Sequence, residues 1–433
     1  MYVRTRDELD AGRPGNSVTP AASSHLWLRM GNIPRGLGQP ESPIPACIQR
    51  PGWFPLLKHY FSPKVRLAKG SGLTWDSTSK VEELNPDQLN PGYFFSTTRG
   101  LARDVNLDKN LKEMIANVLA KETPFNTDPF KTFVDKGGKI GTALVDLSTD
   151  KKLVFPEIAE FNSTATTAAG SLAKIGFLYA AYQHRFDLNV QGRTDPKSIT
   201  ADRVHELRTI YDVFQDRNSP NLTFAFKEDF RKALDGICHN CDSSKISRGL
   251  TLSYVCSALW QSGLYDCRWG GIWLGAHYNE WDSKKQKWEC DFQGNCTSEG
   301  CHPDPKGGPF VAVTALSVAT FFTLLAQGRL IDDFSSQKLK EILAKQPDPA
   351  YGCSSRFKTG LTDAGRFAAA DRIYSKIGVT QSVSHEGALI DRASIGKKYV
   401  AVLLTTSSAG ASVNGDVRQK LITHLDELVR TNP

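Results

Sequence analysis

Ser171 and Lys174 are the residues of this chain whose types and spacing define a reaction. They open the segment Ser171-Leu172-Ala173-Lys174, followed by an apolar run from Ile175 to Tyr182 that predicts a buried helix. Residues three apart on a helix lie one above the other, so a hydroxyl and an amine share one face. A serine hydroxyl is a poor nucleophile at its own pKa. A lysine among apolar neighbours is pushed toward its neutral form and can take the serine's proton. The unpaired N–H groups of a helix start favour the negative charge that develops when such a hydroxyl attacks a carbonyl. Two fixed positions in four recur by chance in long chains, so the pair draws its weight from its surroundings.

Nine cysteines form the second chemical signal, most of them between Cys238 and Cys301. Cys238-His239-Asn240-Cys241 and the series Cys290, Cys296, Cys301-His302 offer paired thiols and imidazoles of the kind that hold zinc, but the spacings match no standard zinc knuckle. Disulfides pinning a polar insertion in an exported protein are the preferred reading, and no metal or cofactor is assigned. The odd number leaves at least one thiol unpaired. The N-terminus, Met1 to Glu8, lacks the apolar core of a signal peptide, which taken literally argues for the cytoplasm.

The net charge of +7 over 433 residues is modest, and no basic run interleaved with aromatics appears, so a nucleic-acid partner is not indicated. No stretch is long and apolar enough to predict a transmembrane helix. Residues 1–104 are rich in Pro, Gly, Ser and Arg, without periodicity, and read as an irregular N-terminal extension.

From Asn106 regular elements follow. Leu107, Leu111, Ile115, Val118 and Leu119 recur at helical spacing. Lys139–Leu147 and Lys152–Phe155 predict a hairpin around Ser148-Thr149-Asp150-Lys151. After the Ser171 helix come a partly helical polar stretch, an apolar helix over Leu250–Gly263, and a Cys-containing loop insertion at 279–308. Helices over Val313–Leu325 and Ser336–Lys345 precede strands at Arg372–Lys376, Glu386–Asp391 and Tyr399–Leu404, and a last helix covers Val417–Val429. The simplest assembly is α+β: a five-stranded antiparallel sheet flanked by the terminal helices, beside an all-helical lobe. The sheet lobe is expected at 105–165 and 355–433 and the helical lobe at 166–354.

That order, with a serine–xxx–lysine helix after the first hairpin, resembles the penicillin-recognising serine hydrolases, the class A β-lactamases and penicillin-binding transpeptidases. The resemblance covers about residues 106–433. It implies a β-lactamase/transpeptidase-like fold, an acyl-enzyme on Ser171 and a small-molecule or peptide substrate with a scissile carbonyl. Export to the periplasm or outside the cell is implied as well, and the oligomeric state is not. Three motifs line one cleft in that family. Ser171 and Lys174 match the first. The third is Lys-Thr/Ser-Gly on a strand, and two candidates compete for it. Lys358-Thr359-Gly360 is the literal match but lies too far from the last strands; Lys376-Ile377-Gly378 is followed at once by them, so Lys376 is taken as the motif lysine. The resemblance then implies an oxyanion hole from the N–H groups of Ser171 and Val379, and a glycine at 378 that lets a substrate backbone approach. Ile377 stands where the family has a hydroxyl that helps hold a substrate carboxylate, a departure that bears on carboxylate recognition.

The second motif, Ser-Asp-Asn, is placed at Cys241-Asp242-Ser243, with Cys241 as proton relay and Ser243 as substrate contact, unless Cys241 is spent in a disulfide. The family's deacylating glutamate has no match: Glu280, Glu289 and Glu299 read as solvated loop acids. His385 and Glu386 read as a satisfied edge-strand pair, with substrate contact the second option, and Trp269–Gly275 as a packed turn. Competing with the hydrolase are a catalytically degenerate binding or structural protein of the same fold, motivated by Ile377 and Cys241, and a cysteine-ligated metal protein.

Overall fold

A computed structural model describes residues 103–215, 217–266, 270–276, 278, 281–282, 287–288, 311–348 and 353–432. The expected N-terminal extension and most of the 279–308 insertion, with Glu280, Glu289 and Glu299, lie outside the described residues. The chain divides into two compact units. One comprises Pro91–Ile175, Arg268–Trp273 and Gly307–Pro433, the other Met1–Asn90, Gly176–Cys267 and Leu274–Lys306.

The first unit carries the sheet. Helix α1 (Val105–Ala120) starts where the Asp104 carboxylate accepts the Leu107 amide and ends at Lys121 in a left-handed conformation, φ 57°. Its buried stripe is Leu107, Leu111, Met114, Ile115 and Val118. Strand β1 (Lys139–Asp146) follows. The expected second strand at Lys152–Phe155 is instead a short helix, Asp150–Val154, because the Thr149 hydroxyl caps it by accepting the Lys152 amide. The partner of β1 begins after Pro156, as β2 (Glu157–Phe161). A two-residue strand, β3 (Thr167–Ala168), pairs with β4 (Val311–Val313). Helix α2 (Ala315–Ala326) is capped by Thr314, which pulls its start two residues past the expected Val313 and frees β4 to be extended. Helices α3 (Asp333–Lys345) and α4 (Arg356–Asp363) lead to strands β5 (Arg372–Val379), β6 (Val383–Arg392) and β7 (Lys397–Thr406), and α5 (Ala411–Thr431) closes the chain.

The five strands form one antiparallel sheet, as expected, and the structure sets their order as β5-β6-β7-β1-β2. Alternation along each strand separates two faces. One face carries Ile140, Leu144, Ile373, Ala388, Ile390, Ala401 and Leu403, buried with the α1 stripe and with Val417, Leu421, Ile422, Leu425 and Val429 of α5. The opposite face carries Lys376, Gly378, His385 and Gly387, since Lys376 pairs with Gly387 and Gly378 with His385. A side chain on Gly387 would collide with Val318 of α2, so that glycine is what lets α2 lie directly on the strand.

The second unit is largely helical. It holds the helix Ile175–Thr194 from Gly176 onward, then Ala201–Leu207, Glu228–Asp235, Asn240–Leu250 and Leu252–Ser262. It is not all-helical: Tyr211–Gln215 and Leu222–Phe226 form an antiparallel hairpin within the stretch read as polar and partly helical. Phe214 is exposed while Tyr211 and Phe224 are buried, so the hairpin shows only part of the apolar alternation that would have announced it. The helix expected from Leu250 begins at Leu252, because Thr251 at φ 68° separates it from the helix before it.

Candidate active site

Ser171 and Lys174 lie in the unit with the sheet, in a five-residue 3-10 turn, Gly170–Lys174, that runs into the helix beginning at Ile175. The apolar run predicts an α-helix from the serine onward, and the tighter winding alters the geometry in a specific way. At three residues per turn, side chains at i and i+3 eclipse one another, so Ser171 and Lys174 share one edge of the turn more closely than on an α-helix. Ser171 is half-buried and Lys174 fully buried. Gly170 takes φ 51°, the left-handed region a residue with a Cβ avoids, and so sets the entry of the turn.

The turn is seated on β5. A Cβ on Gly378 would collide with the Ala169 carbonyl oxygen and stand 2.6 Å from Leu172 N. One on Gly170 would stand 2.7 Å from Val379 N. Two backbones therefore meet at glycine on both sides, and the sequence Lys376-Ile377-Gly378-Val379 lies against the turn that bears Ser171. Gly378 admits the turn that bears Ser171, whereas the family resemblance assigns that space to a substrate backbone. Val379 beside it is 46% exposed. Ile377 is half-buried and pairs with Glu386 on the other face of the sheet.

Lys376 is fully buried, and its Nζ donates to Ile377 O at 2.9 Å and lies 3.5 Å from Cys353 Sγ. Burial pushes its ammonium down to about 7, against the opposing pull of Glu386. Cys353 is disulfide-bonded, as is Cys238. The sequence gives no sign that a half-cystine would border the lysine, because the two positions come together only through the fold of β5.

His385 and Glu386 do not form an edge pair: β6 is an interior strand, and both side chains are fully buried on opposite faces. Glu386 accepts from the Ser355 hydroxyl, the Arg356 amide at 3.0 Å and the Phe357 amide at 3.2 Å, so it anchors the N-terminus of α4, with Arg418 Nε 3.4 Å away. Burial raises its carboxyl, and Arg418 works against that. His385 faces the Ser171 turn. Its Nδ1 lies 3.1 Å from the Thr405 amide, which can only donate, and its Nε2 lies 3.0 Å from Ala168 O, which can only accept. Burial and the nearby Arg418 push the imidazole down to about 3, so it is neutral.

Lys358-Thr359-Gly360, the literal Lys-Thr-Gly, lies in helix α4 with Lys358 exposed, and Gly360 lets that helix touch the Gln419 backbone of α5. Cys241 and Ser243 lie in the other unit, on the helix Asn240–Leu250. Cys241 is an exposed free thiol. Ser243 is buried, its hydroxyl 3.0 Å from Ile237 O and 2.9 Å from His239 O, so the helix entry occupies it. With Cys238 in a disulfide, the Cys238/Cys241 pair is not a thiolate pair for zinc.

Residues 296–429 match the model of the β-lactamase enzyme family. That stretch includes Lys376, Gly378, Val379 and His385 and stops short of Ser171 and Lys174. No curated protein matches the chain. Among solved structures, the chain is similar to a β-lactamase from Sphaerobacter thermophilus DSM 20745, at 16% identity and TM-score 0.43, covering 72% of this chain and 94% of that one. It is similar to a class A β-lactamase representative from Bacteroides cellulosilyticus DSM 14838, at 13% identity and TM-score 0.43, covering 75% and 98%. A third is a point mutant of PBP-A in its acyl-enzyme complex with penicillin G, at 13% identity and TM-score 0.40, covering 75% and 98%. The family match agrees, over residues 296–429, with the resemblance to β-lactamases drawn from the motifs.

Proposed function

We propose that this chain is a serine hydrolase of the β-lactamase and penicillin-binding type that forms an acyl-enzyme on Ser171. The observation that carries the reading is the seating of the Ser171–Lys174 turn on the Lys376–Val379 strand through Gly170 and Gly378. Ser171 Oγ bonds to the carbonyl carbon of an amide or ester and its proton passes to Lys174. The oxyanion is held by the N–H groups of Ser171 and Val379. As the tetrahedral intermediate collapses, the bond to the leaving group breaks and the amine or alkoxide takes the proton back from Lys174. Lys376, poised at about 7, supplies positive charge beside these groups when protonated.

The substrate is a small ester, a β-lactam or a peptidoglycan-like peptide. Ile377 offers no hydroxyl to a substrate carboxylate, which favours substrates that do not rely on that contact. The disulfide-bonded Cys238 and Cys353 support an oxidising compartment, and hence export. No helix among the described residues is long and apolar enough to cross a membrane.

Intact-mass spectrometry after exposure to penicillin G and to a fluorophosphonate tests the reading. One covalent adduct per chain is expected, mapped to Ser171 and absent from Ser171→Ala. An adduct that persists in the Ser171→Ala protein excludes the assignment. The departure at Ile377 favours a second reading, a binding protein that keeps the fold without turnover. Hydrolysis of an activated ester that is lost in Ser171→Ala excludes that one.

A further inference from the structure

His385 stands outside the chemistry described above, yet both of its ring nitrogens are engaged by backbone. The Thr405 amide of β7 donates to Nδ1 at 3.1 Å, so Nδ1 carries no proton and a neutral ring must carry it on Nε2. That Nε2–H then donates to Ala168 O at 3.0 Å, three residues before Ser171. The other ties on this approach come from the opposite side: Ala168 pairs with Ala312 of β4, and the Ala169 amide donates to Val311 O at 3.1 Å. The partner of His385 on β5 is Gly378, the residue whose missing side chain admits the turn. The ring and the glycine therefore act at one level of the sheet, one gripping the carbonyl of residue 168 and the other receiving the backbone of residues 169–172. A fully buried imidazole with no hydrogen bonds would be costly, and an aliphatic side chain would fill the space without that cost.

We propose that His385 is the positioning residue of the Ser171 turn. Its ring, locked as the Nε2–H tautomer by β7, holds the Ala168 carbonyl and thereby sets where the Ser171 hydroxyl stands against the end of β5. This role rests on the serine-hydrolase reading for its effect on catalysis, but the lock itself is a property of the fold. A group that orients the nucleophile without touching substrate acts on the acylation step and leaves prior binding unchanged.

The test uses the full chain and a fluorophosphonate, with the maximal acylation rate separated from the concentration giving half of it. His385→Leu removes both hydrogen bonds, and His385→Gln retains a donor that reaches Ala168 O. The expected result for His385→Leu is an acylation rate lower by about 10²-fold with half-saturation unchanged, and recovery of about tenfold of that loss in His385→Gln. An unchanged maximal rate in folded His385→Leu overturns the proposal, and so does an equal loss in both variants. Where His385→Leu does not fold, long-range ¹H–¹⁵N spectra of histidine-labelled protein decide the matter, the His385 resonance being the one missing from His385→Gln. A neutral ring protonated on Nε2 at pH 7 supports the lock, and a Nδ1–H or charged ring overturns it. If the wild-type chain takes no label at Ser171, the hydrolase reading fails by itself. The spectra and amide exchange at Ala169–Leu172 then decide the lock, with faster exchange in a folded His385 variant expected and unchanged exchange overturning it.

Discussion

A lysine buried without a full set of partners costs folding free energy. Lys376 is such a residue: its folded pKa of about 7 lies below the ordinary lysine value. Between those values the unfolded chain binds the proton and the folded chain releases it, so the Lys376 contribution to stability rises with pH across that window. Below about 7 the ammonium is charged in both states and the full cost is present. Lys376→Met is therefore expected to raise the melting temperature at pH 6, to be read by differential scanning calorimetry, while the acylation by penicillin G expected of the wild-type chain should fall by about 10²-fold or more. In the wild-type chain acylation is expected to decline on the alkaline side of about 7 as the Lys376 charge is lost. An acylation profile flat from pH 6 to 9 argues against a role for that charge. His385, neutral down to about 3, contributes no step in the same range.

At the scale of elements, the placement of Ser171 is decided by how the Gly170–Lys174 turn meets β5. The contact is between backbones, so the smallest added side chain displaces the turn. Gly378→Ala is expected to lower acylation by about 10²-fold while far-ultraviolet dichroism and β5–β6 pairing persist, a result read by comparing labelling rate with melting temperature. Lys358→Ala, on the exposed side of α4, is expected to leave acylation and stability within measurement error, and a loss of labelling would reinstate the literal Lys-Thr-Gly as the motif. Leu425→Ala on the buried side of α5 is expected to cost about 2–5 kcal/mol by urea unfolding, because it opens a cavity in the face of the sheet that holds α1 and α5 together. The residues 150–154 show why element boundaries are hard to read: an apolar Leu-Val-Phe run looks like a strand until a threonine hydroxyl caps the turn before it.

Across the unit that carries the sheet, a buried charge network ties the last two strands to α5. Arg392 Nε donates to Asp371 at 2.9 Å and its Nη1 to Asp426 at 2.6 Å, and the Tyr399 hydroxyl donates to Asp426 at 2.9 Å. Burial by itself raises the Asp371 carboxyl. The Ala368 and Ser394 amides and the Arg392 guanidinium outweigh it and bring the group down to about 2. A carboxyl depressed on folding stabilises fully above its unfolded pKa of about 3.9 and loses that contribution as pH falls toward the folded value. Urea unfolding is expected to show this stability intact at pH 5 and declining from about pH 4 to 2. In Asp371→Ala, about 2–3 kcal/mol should be lost at pH 7 and that part of the acid dependence should disappear. The chain's local patterns were enough to establish a good deal. The spacing of Ser171 and Lys174, the apolar strand runs at 372–376, 386–391 and 399–404, and the helical stripes of α1 and α5 all rest on neighbours within a few residues. These determined the α+β class and the antiparallel sheet. The tertiary structure alone decided what surrounds each group. Ala168 and His385 are 217 positions apart and meet at one hydrogen bond, and Lys376 loses its water to segments such as Cys353 that no periodicity links to it. Desolvation and long-range pairing depend on groups distant in sequence, and that is why the Ser171–Lys174 pair could be read from four residues while the groups packed around it could not.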